Sequence, residues 1–365
     1  MSAPHVPVAT EGAAAAVDAP HPVSLGRSAV ALILAGGFLL ASVLVGISVG
    51  PVHLGVGSIV DAAAAHLPLL QVHSPLSGPD EAILWQLRAP RVVLACLVGG
   101  MLAVAGASYQ GVLRNPLADP YLLGIAAGAG LGATLAIAYG HGSFASYDLL
   151  PLAAFVGAAA GVAAAYALGR SVGPGRSPAT LILAGVTITS FLTALQTFVQ
   201  QQRSETLRET YSWLLGRLDT SGWRDVTLVL PYVAVSVVAL LLHRRLLDVL
   251  SVGDEEAAAL GVNVGRVRLT VVVFATIGTA AAVAISGLIG FVGIIVPHAM
   301  RLLVGPSYRL LLPLSLLVGA GFLVCTDMLA RTVMAPAELP IGVVTAFFGA
   351  PFFAVVLRTT RMVGP

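Results

Sequence analysis

The chain has 365 residues, of which 57% are hydrophobic and 10% are charged, and its mean hydropathy is +0.93. Because a soluble domain is about a quarter charged, this composition excludes an ordinary cytosolic enzyme and a disordered protein. The net charge of +2 gives no electrostatic reason to expect a nucleic-acid partner. Such sparse charges suit the loops of a protein that crosses a lipid bilayer several times.

Nine long stretches without a charged residue are candidate membrane crossings. About 20 apolar residues cross a bilayer as a helix, and eight of the stretches fit one crossing each. The stretch at 269–300 is long for one helix and short for two of full length, and it carries Gly287 and Gly290 near its middle. In chain order the stretches are 28–60, 92–113, 120–147, 149–169, 177–202, 226–243, 269–300, 310–326 and 339–357.

The distribution of arginine indicates how the stretch at 269–300 crosses the bilayer, because cytoplasmic loops are enriched in basic residues. A turn near Gly287 makes ten spans and places twelve arginines inside and seven outside, whereas nine spans remove this bias. We therefore predict an all-α polytopic membrane protein with ten transmembrane helices and cytoplasmic termini. One helix, at about 291–303, is short. Residues 1–27, rich in Ala and Pro, are predicted to be a mobile cytoplasmic tail before the transmembrane domain at 28–360.

One inner loop contains the sequence GDEEAAALG at 253–261. Acidic residues at 254–256 would occupy the first turn of a short helix and complement its dipole, and Gly261 stands where a left-handed residue would end it. Such a helix is not needed for the packing of the spans, and it could present a rigid surface to a soluble partner. The alternative is a compact loop with no partner.

The sequence contains no recognisable enzyme motif. It has no GxxxxGK[ST] phosphate loop, no HExxH and no Cys/His cluster with the spacing of a zinc site. Asp327 is the main ionisable residue near the interior of a span, and Arg331, four residues later, can pair with it on a helix. The scarcity of such residues argues against a proton-driven carrier.

Four stretches resemble the FecCD/BtuCD-type permeases, the membrane subunits of bacterial ATP-driven importers of haem, ferric siderophores and vitamin B12. Their order is that of the family, and they cover most of the chain from about residue 85 to 360. The resemblance implies the type II ABC importer permease fold with ten helices in each subunit. The stretches are RAPRVVLACLVGGMLAVAGASYQGVLRNPLADPYLLGIAAGAGLG at 88–132, TLILAGV at 180–186, GLIGFVGIIVPHAMR at 287–301 and AELPIGVVTAFFGAP at 337–351.

The resemblance also implies partners. These are a second copy of the chain in the inner membrane, two ATPase subunits that bind ATP and Mg, and a periplasmic substrate-binding protein. The chain itself would bind no cofactor or metal and would catalyse no reaction. The segment at about 251–263 would hold the coupling helix that sits in a groove of the ATPase. Its contact residues would be Asp254, Glu255, Glu256, Ala257, Leu260 and Gly261.

Three arginines match residues that dock the binding protein in similar permeases. Such arginines pair with glutamates of the binding protein, a role that suits the planar guanidinium. The matching residues are Arg88, Arg91 and Arg331. The alternatives are snorkelling at the membrane interface and, for Arg331, an internal pair with Asp327.

Two segments match the narrow cytoplasmic end of the family's pathway. The first is the turn that contains Asn115 and Leu117, and the alternative is a plain connector. The second is the start of the fifth span, where Pro178 and Ala179 replace the small hydroxyl residues of the vitamin B12 permease. The resemblance implies a gate at both segments.

Polar residues at the outer end of the fifth span bear on the substrate. Gln196 and Gln200 share one helix face, with Arg203 adjacent, and polar residues at lipid depth face a cavity or another helix. An arginine at the pathway mouth would attract the propionates of haem or the carboxylates of a ferric siderophore, and would offer little to cobalamin. We therefore expect haem as the substrate, with the other two as alternatives. Arg203 could instead simply pair with Glu205 or Glu209.

The expected mechanism is alternating access without chemistry on the substrate, powered from the cytosol by the ATPase. A secondary carrier that works alone is the alternative from another class of transporter. It needs neither a capped inner helix nor docking arginines. Uptake driven by an ion gradient alone would favour the carrier.

Overall fold

The computed structural model describes residues 25–50, 52, 54–65, 74–140, 149–171, 178–219 and 222–361. All regular secondary structure in these residues is helical. In chain order the α-helices are α1 (Leu25–Ser48), α2 (Val56–Ala65), α3 (Gly78–Ala82), α4 (Ala89–Leu113), α5 (Ile125–Tyr139), α6 (Leu149–Ser171), α7 (Pro178–Gln202), α8 (Leu207–Leu214), α9 (Trp223–Leu242), α10 (Arg244–Val252), α11 (Asp254–Ala259), α12 (Val264–Ser286), α13 (Val292–Val304), α14 (Tyr308–Thr332) and α15 (Ile341–Arg361).

The prediction of ten spans is confirmed. Seven long helical segments in the described residues are apolar enough to cross a membrane, and four shorter apolar helices accompany them. Of these, α2 has only 10 residues, and α5, α13 and α15 bring the number of spans to ten. The predicted turn near Gly287 separates α12 from α13. Gly287 and Phe291 both adopt positive φ angles, of 67° and 70°, so the chain leaves one helix and enters the next within a few residues.

Several predicted boundaries were wrong. α1 begins at Leu25, so the last three residues of the predicted tail are helical, and residues 1–24 lie outside the described residues. A π-helical turn, Ile83–Arg88, joins α3 to α4 and extends that segment beyond the predicted run. The predicted coupling helix at 251–263 is two elements, because Gly253, with φ 142°, ends α10 before α11 begins.

α4 forms the centre of the bundle. Every residue from position 98 to position 113 is buried, and α4 packs against α9, α12, α13 and α14. Small residues permit this crowding, since a Cβ atom on Gly106 would collide with the main chain of Gly293 in α13. The central helix is therefore held on several sides by other spans.

The connections between the spans collect at two ends of the bundle, because successive spans run in alternating directions. The Arg91 end contains Arg91, the end of α14 and the segment before α15, which an Arg91–Glu338 ion pair joins. The Asp254 end contains α10, α11 and the turn after α4, which an Arg114–Asp254 ion pair joins. These two ends carry the residues predicted to meet partners.

Candidate docking, coupling and pathway sites

Two arginines and two carboxylates form an ion-pair network at the Arg91 end. Arg91 Nη2 lies 2.9 Å from Asp327 Oδ1 and 2.8 Å from Glu338 Oε2, and Arg331 Nε lies 3.3 Å from Asp327 Oδ2. The Asp327 side chain is 1% exposed and the Glu338 side chain is 49% exposed. The buried carboxylate thus lies between two guanidinium groups, as the i,i+4 spacing predicted for Arg331, while Glu338 faces solvent.

Glu338 lies outside the spans, in the segment between α14 and α15. Its carboxylate accepts hydrogen bonds from Arg91 Nη1 at 3.0 Å and from Nη2 at 2.8 Å. These hydrogen bonds hold the pKa of Glu338 below its ordinary value. A cavity of about 310 Å³ lies beside the pair and is also lined by Arg217 and Asp219.

Arg88 and Arg331 make contacts inside the chain. Both are buried, with 5% and 8% exposure, and Arg331 donates a further hydrogen bond to the carbonyl of Gly46. A cation near the last turn of a helix complements the helix dipole, so these contacts fasten the end of α1. Docking stays a prediction for all three arginines, and a partner's carboxylate would have to replace existing contacts. Arg88 donates to the carbonyls of Ile47 at 2.8 Å, Ser48 at 3.0 Å and Val52.

Asp254 joins three elements at the Asp254 end. Its Oδ1 atom lies 3.1 Å from Arg268 Nη2 in α12 and 3.4 Å from Arg114 Nη2, directly after α4. Arg268 is 4% exposed, so a buried cation holds the first residue of α11. The position of α11 is therefore tied both to a span and to the turn that follows the central helix.

The other predicted coupling residues divide into two groups. Ala257 is buried against the bundle, whereas Leu260 is 70% exposed. Glu255, Glu256 and Gly261 are also exposed. Gly261 has φ 81°, which is the predicted left-handed ending. The exposed group forms an acidic and apolar surface, while Asp254 and Ala257 attach that surface to the protein.

The turn after α4 is held by short-range hydrogen bonds. Arg114 ends the helix with φ 47°, and Asn115 Oδ1 accepts a hydrogen bond from the Leu117 main-chain N–H at 2.9 Å. The Leu117 side chain is 45% exposed. The two predicted gate residues thus form a rigid turn with an apolar side chain at its surface.

Asp119 follows this turn and begins a 3₁₀ turn, Pro120–Leu123. Its Oδ1 atom accepts a hydrogen bond from the Tyr121 N–H at 2.7 Å. Burial raises the pKa of Asp119 to about 6. The Tyr121 hydroxyl donates to the carbonyl of Ile289 at 3.0 Å, in the break between α12 and α13. The predicted gate turn is therefore connected to that break.

The second predicted gate segment begins α7. Pro178 is the first residue of the helix and Ala179 is exposed. The side chain of Pro178 and residues 172–177 lie outside the described residues.

The glutamine face of α7 packs inside its own subunit. Gln196 and Gln200 are 8% and 9% exposed, and a Cβ atom on Gly130 of α5 would lie 2.7 Å from Gln196 Oε1. Arg203 lies over the Tyr139 ring at 4.9 Å and 3.5 Å from Glu205, so the alternative Glu205 pair is present. The pathway role of these three residues stays a prediction.

Other, exposed positions of α7 carry hydroxyl groups that our sequence analysis did not single out. Within the span, Thr187, Ser190 and Thr197 donate to carbonyls one turn earlier, which satisfies them in an apolar surrounding. The signal was a recurrence of hydroxyl residues every three or four positions. Five of the exposed polar residues are called the hydroxyl stripe below, namely Thr187, Ser190, Thr193, Thr197 and Gln201.

Among the described residues, no group of three or more His, Cys, Asp or Glu side chains could hold a metal ion.

Comparison with known proteins identifies the family. A sequence model of the FecCD transport family matches residues 38–359. The ABC transporter permease protein YvrB of Bacillus subtilis is 40% identical over 90% of this chain and 93% of its own length. The cobalamin import system permease protein BtuC of Halobacterium salinarum is 43% identical over 76% of this chain and 74% of its own. The hemin transport system permease protein HmuU of Yersinia pestis is 40% identical over 73% of this chain and 80% of its own.

A solved structure agrees with these relatives. A metal-chelate type ABC transporter in an inward-facing conformation superposes with a TM-score of 0.78 and 30% identity, over 90% of this chain and 98% of that chain. The chain belongs to the FecCD transport family and has the fold of a type II ABC importer permease. It is a membrane-embedded transport permease of an ABC importer.

Proposed function

We propose that this permease moves haem from a substrate-binding protein across the bacterial inner membrane by alternating access. Two copies would enclose the pathway, and two separate ATPase subunits would bind ATP and Mg at the Asp254 end, which we assign to the cytoplasm together with both termini. The binding protein would dock at the Arg91 end, in the periplasm. The observation that carries the proposal is the short helix α11, which presents exposed Glu255, Glu256 and Leu260 while Asp254 anchors it to the bundle.

Asp254 would transmit a movement of the ATPase from α11 to the spans. A displacement of α11 acts on Arg268 in α12 and on Arg114, which precedes the gate turn at Asn115 and Leu117. Because Asp254 contacts both the buried Arg268 and Arg114, α11 and the turn would move together. The Tyr121–Ile289 hydrogen bonds would extend this movement to the α12–α13 break.

The hydroxyl stripe of α7 is the better candidate for the pathway wall. Polar side chains on the outside of a span are stable where they face water or another subunit rather than acyl chains. In a homodimer, the stripe of each copy would face a central pathway. Hydroxyl groups already bonded to their own helix offer only weak contacts, which suits a pathway that must release its cargo.

Haem is our leading substrate because a propionate would pair with Arg203, whose side chain is 39% exposed, in exchange for its contact with Glu205. The relative named for hemin transport is consistent with this choice. Cobalamin is the second candidate, because a relative named for cobalamin import is 43% identical. Ferric siderophores remain an alternative, since other relatives are named for iron(3+)-hydroxamate and Fe(3+)-citrate import.

The substrate is tested with the cognate binding protein. We expect the binding protein to purify with a red ligand that has a Soret absorption band. We also expect proteoliposomes that contain the permease and the ATPase to take up haem only when ATP is supplied. A cobalamin or ferric-siderophore complex would overturn the haem assignment and leave the importer assignment in place. Haem uptake without the ATPase, driven by an ion gradient, would overturn the proposed mechanism.

Coupling is tested at the exposed face of α11. We expect Glu255→Arg combined with Glu256→Arg to separate ATP hydrolysis from uptake, because the contact surface changes charge while Asp254 still anchors the helix. Asp61→Arg combined with Glu81→Arg, in α2 and α3, is the matched control for two charge reversals. Normal uptake by the α11 variant would remove α11 from the ATPase interface.

A further inference from the structure

Two grooves on the surface of the bundle have the same kind of lining, apolar side chains with one arginine. The first is a cavity of about 800 Å³ between α1, α13 and α14, with walls that include Val30, Leu34, Phe38 and Leu314. Among the described residues that line it, Arg27 is the single charged one. Arg27 is exposed and lies where α1 begins, at the Asp254 end.

The second groove is formed by other helices. A cavity of about 640 Å³ lies between α6 and α12, with walls that include Val162, Ala163 and Val273. Its charged lining residue is Arg170, which is exposed at the end of α6 and lies over the Tyr166 ring at 6.0 Å. This groove too ends in an arginine at the Asp254 end.

The length of each groove matches the thickness of the hydrocarbon layer in one leaflet. From Arg27 to Phe38, α1 rises roughly 17 Å, and from Ala159 to Arg170, α6 rises a similar distance, at about 1.5 Å per residue. Half of the hydrocarbon thickness of a bilayer is about 15 Å. An acyl chain anchored at either arginine would therefore run along the whole groove.

A third cavity provides an internal comparison. It has a volume of about 340 Å³ between α6, α9 and α12, and lies at the Arg91 end. Its lining includes both Arg224 and Asp225, so its charged lining carries no net charge. Among the described lining residues, the two grooves at the Asp254 end thus share an arginine with no acidic residue beside it in the lining.

We propose that each of these two grooves binds an anionic phospholipid from the leaflet at the Asp254 end. The acyl chain fills the apolar groove, and the phosphate pairs with Arg27 in the first groove and with Arg170 in the second. An apolar groove in a bilayer is filled by lipid, because an empty one would lose packing contacts. The guanidinium selects the headgroup, since it binds phosphate through two parallel hydrogen bonds and an anionic lipid brings a net negative charge.

The proposal is tested by native mass spectrometry of the purified full chain with phosphatidylglycerol and with phosphatidylcholine. We expect two preferred phosphatidylglycerol molecules per chain, with Arg27→Gln and Arg170→Gln each weakening one site about fivefold, the equivalent of about 1 kcal/mol for one basic residue near an anionic surface. Arg27→Lys and Arg170→Lys should keep most of the preference. Arg224→Gln, at the third cavity, is the matched control and should change nothing.

Three results would overturn the proposal. Equal binding of phosphatidylcholine and phosphatidylglycerol to the unaltered chain would show that the arginines do not select the headgroup. An unchanged preference in Arg27→Gln or in Arg170→Gln would remove the corresponding groove. Equal protection against thermal unfolding by glycerol phosphate, which has no acyl chain, would show a phosphate site that does not use the groove.

Discussion

The two ends of the bundle use carboxylate–arginine pairs for different purposes. At the Arg91 end, Asp327 is 1% exposed and pairs with Arg91 and Arg331, so its partners lie on the long spans α4 and α14. At the Asp254 end, the partly exposed Asp254 attaches a helix of six residues to one span and one turn. The first arrangement fixes spans to each other, and the second connects a small surface element to the interior. A similar ion pair thus stabilises the packing of spans at one end and, in the proposed mechanism, would transmit a movement at the other.

The largest effect should follow Asp327→Asn at the Arg91 end. Loss of this carboxylate leaves the buried Arg331 guanidinium without its counter-ion and leaves Arg91 paired with Glu338 alone, so we expect the free energy of unfolding to fall by about 3–5 kcal/mol. Denaturant unfolding in detergent measures this change. Asp219→Asn is the control, because its pair with Arg217 is largely exposed at both partners and should contribute less than about 1 kcal/mol. Similar stability of the two variants would contradict a structural role for the network.

Asp254→Asn should affect coupling more than folding. We expect uptake per ATP hydrolysed to fall about 10- to 100-fold, the range of an ordinary coupling free energy, because α11 loses its charged connection to Arg114 and Arg268. Transport and ATPase assays on the same proteoliposomes measure the ratio. Asp248→Asn, which removes a neighbouring carboxylate bonded to Ser307 and Tyr308, is the control. A normal ratio for Asp254→Asn would place the transmission elsewhere.

Asp119, beside the predicted gate turn, should make the free energy of unfolding depend on pH. Its pKa is raised to about 6, so the folded protein holds the proton more tightly than the unfolded chain, and stability falls as pH rises from about 4 to 6. At pH 8 we expect the free energy of unfolding of Asp119→Asn to exceed that of the unaltered protein by on the order of 2 kcal/mol. The difference should disappear near pH 4. Thermal unfolding in detergent across this range tests the sign. A variant less stable at pH 8 would show that the charged form is favoured.

Glu338→Gln should produce the smallest effect, a gain in affinity for the substrate-binding protein. Glu338 pairs with Arg91, one of the three arginines for which docking is predicted. If Arg91 docks the substrate-binding protein, removal of the Glu338 carboxylate frees its guanidinium and should tighten binding about three- to fivefold. Because the pKa of Glu338 is lowered, the pair persists throughout the neutral range, and the gain should be the same at pH 6 and pH 8. Surface-immobilised binding protein measures the affinity. Weaker binding would mean that Glu338 itself belongs to the docking surface.

The sequence was informative wherever the bilayer imposes a rule. Charge-free runs located the spans, and the arginine distribution divided 269–300 into α12 and α13, because helices in lipid must be apolar and basic residues collect on one side. The pairing of Asp327 with Arg331 and the left-handed Gly261 followed from local helix geometry. Short elements were harder, since the π-helical turn that ends at Arg88 carries no comparable signal in a single sequence.

The orientation of α7 shows why the remainder could not be predicted. Gln196 and Gln200 mark a polar face, but the pattern does not say whether that face meets a pathway or a neighbouring helix. Gly130 on α5 provides the space that takes Gln196 into the subunit, and the exposed face is the one with the hydroxyl stripe. Arg88 is a similar case, because its partners are carbonyls about 40 positions earlier in the chain.

Hydropathy and the placement of charge were thus sufficient for the class of protein, the number of spans and the two ends of the bundle. These properties depend on the transfer of whole segments from water to lipid, which the composition of each segment dictates. The partner of each arginine, the accessible face of α7 and the attachment of α11 depended on the packing of helices distant in the chain. Such contacts are decided by where other backbones lie, and no local pattern of residues encodes that position.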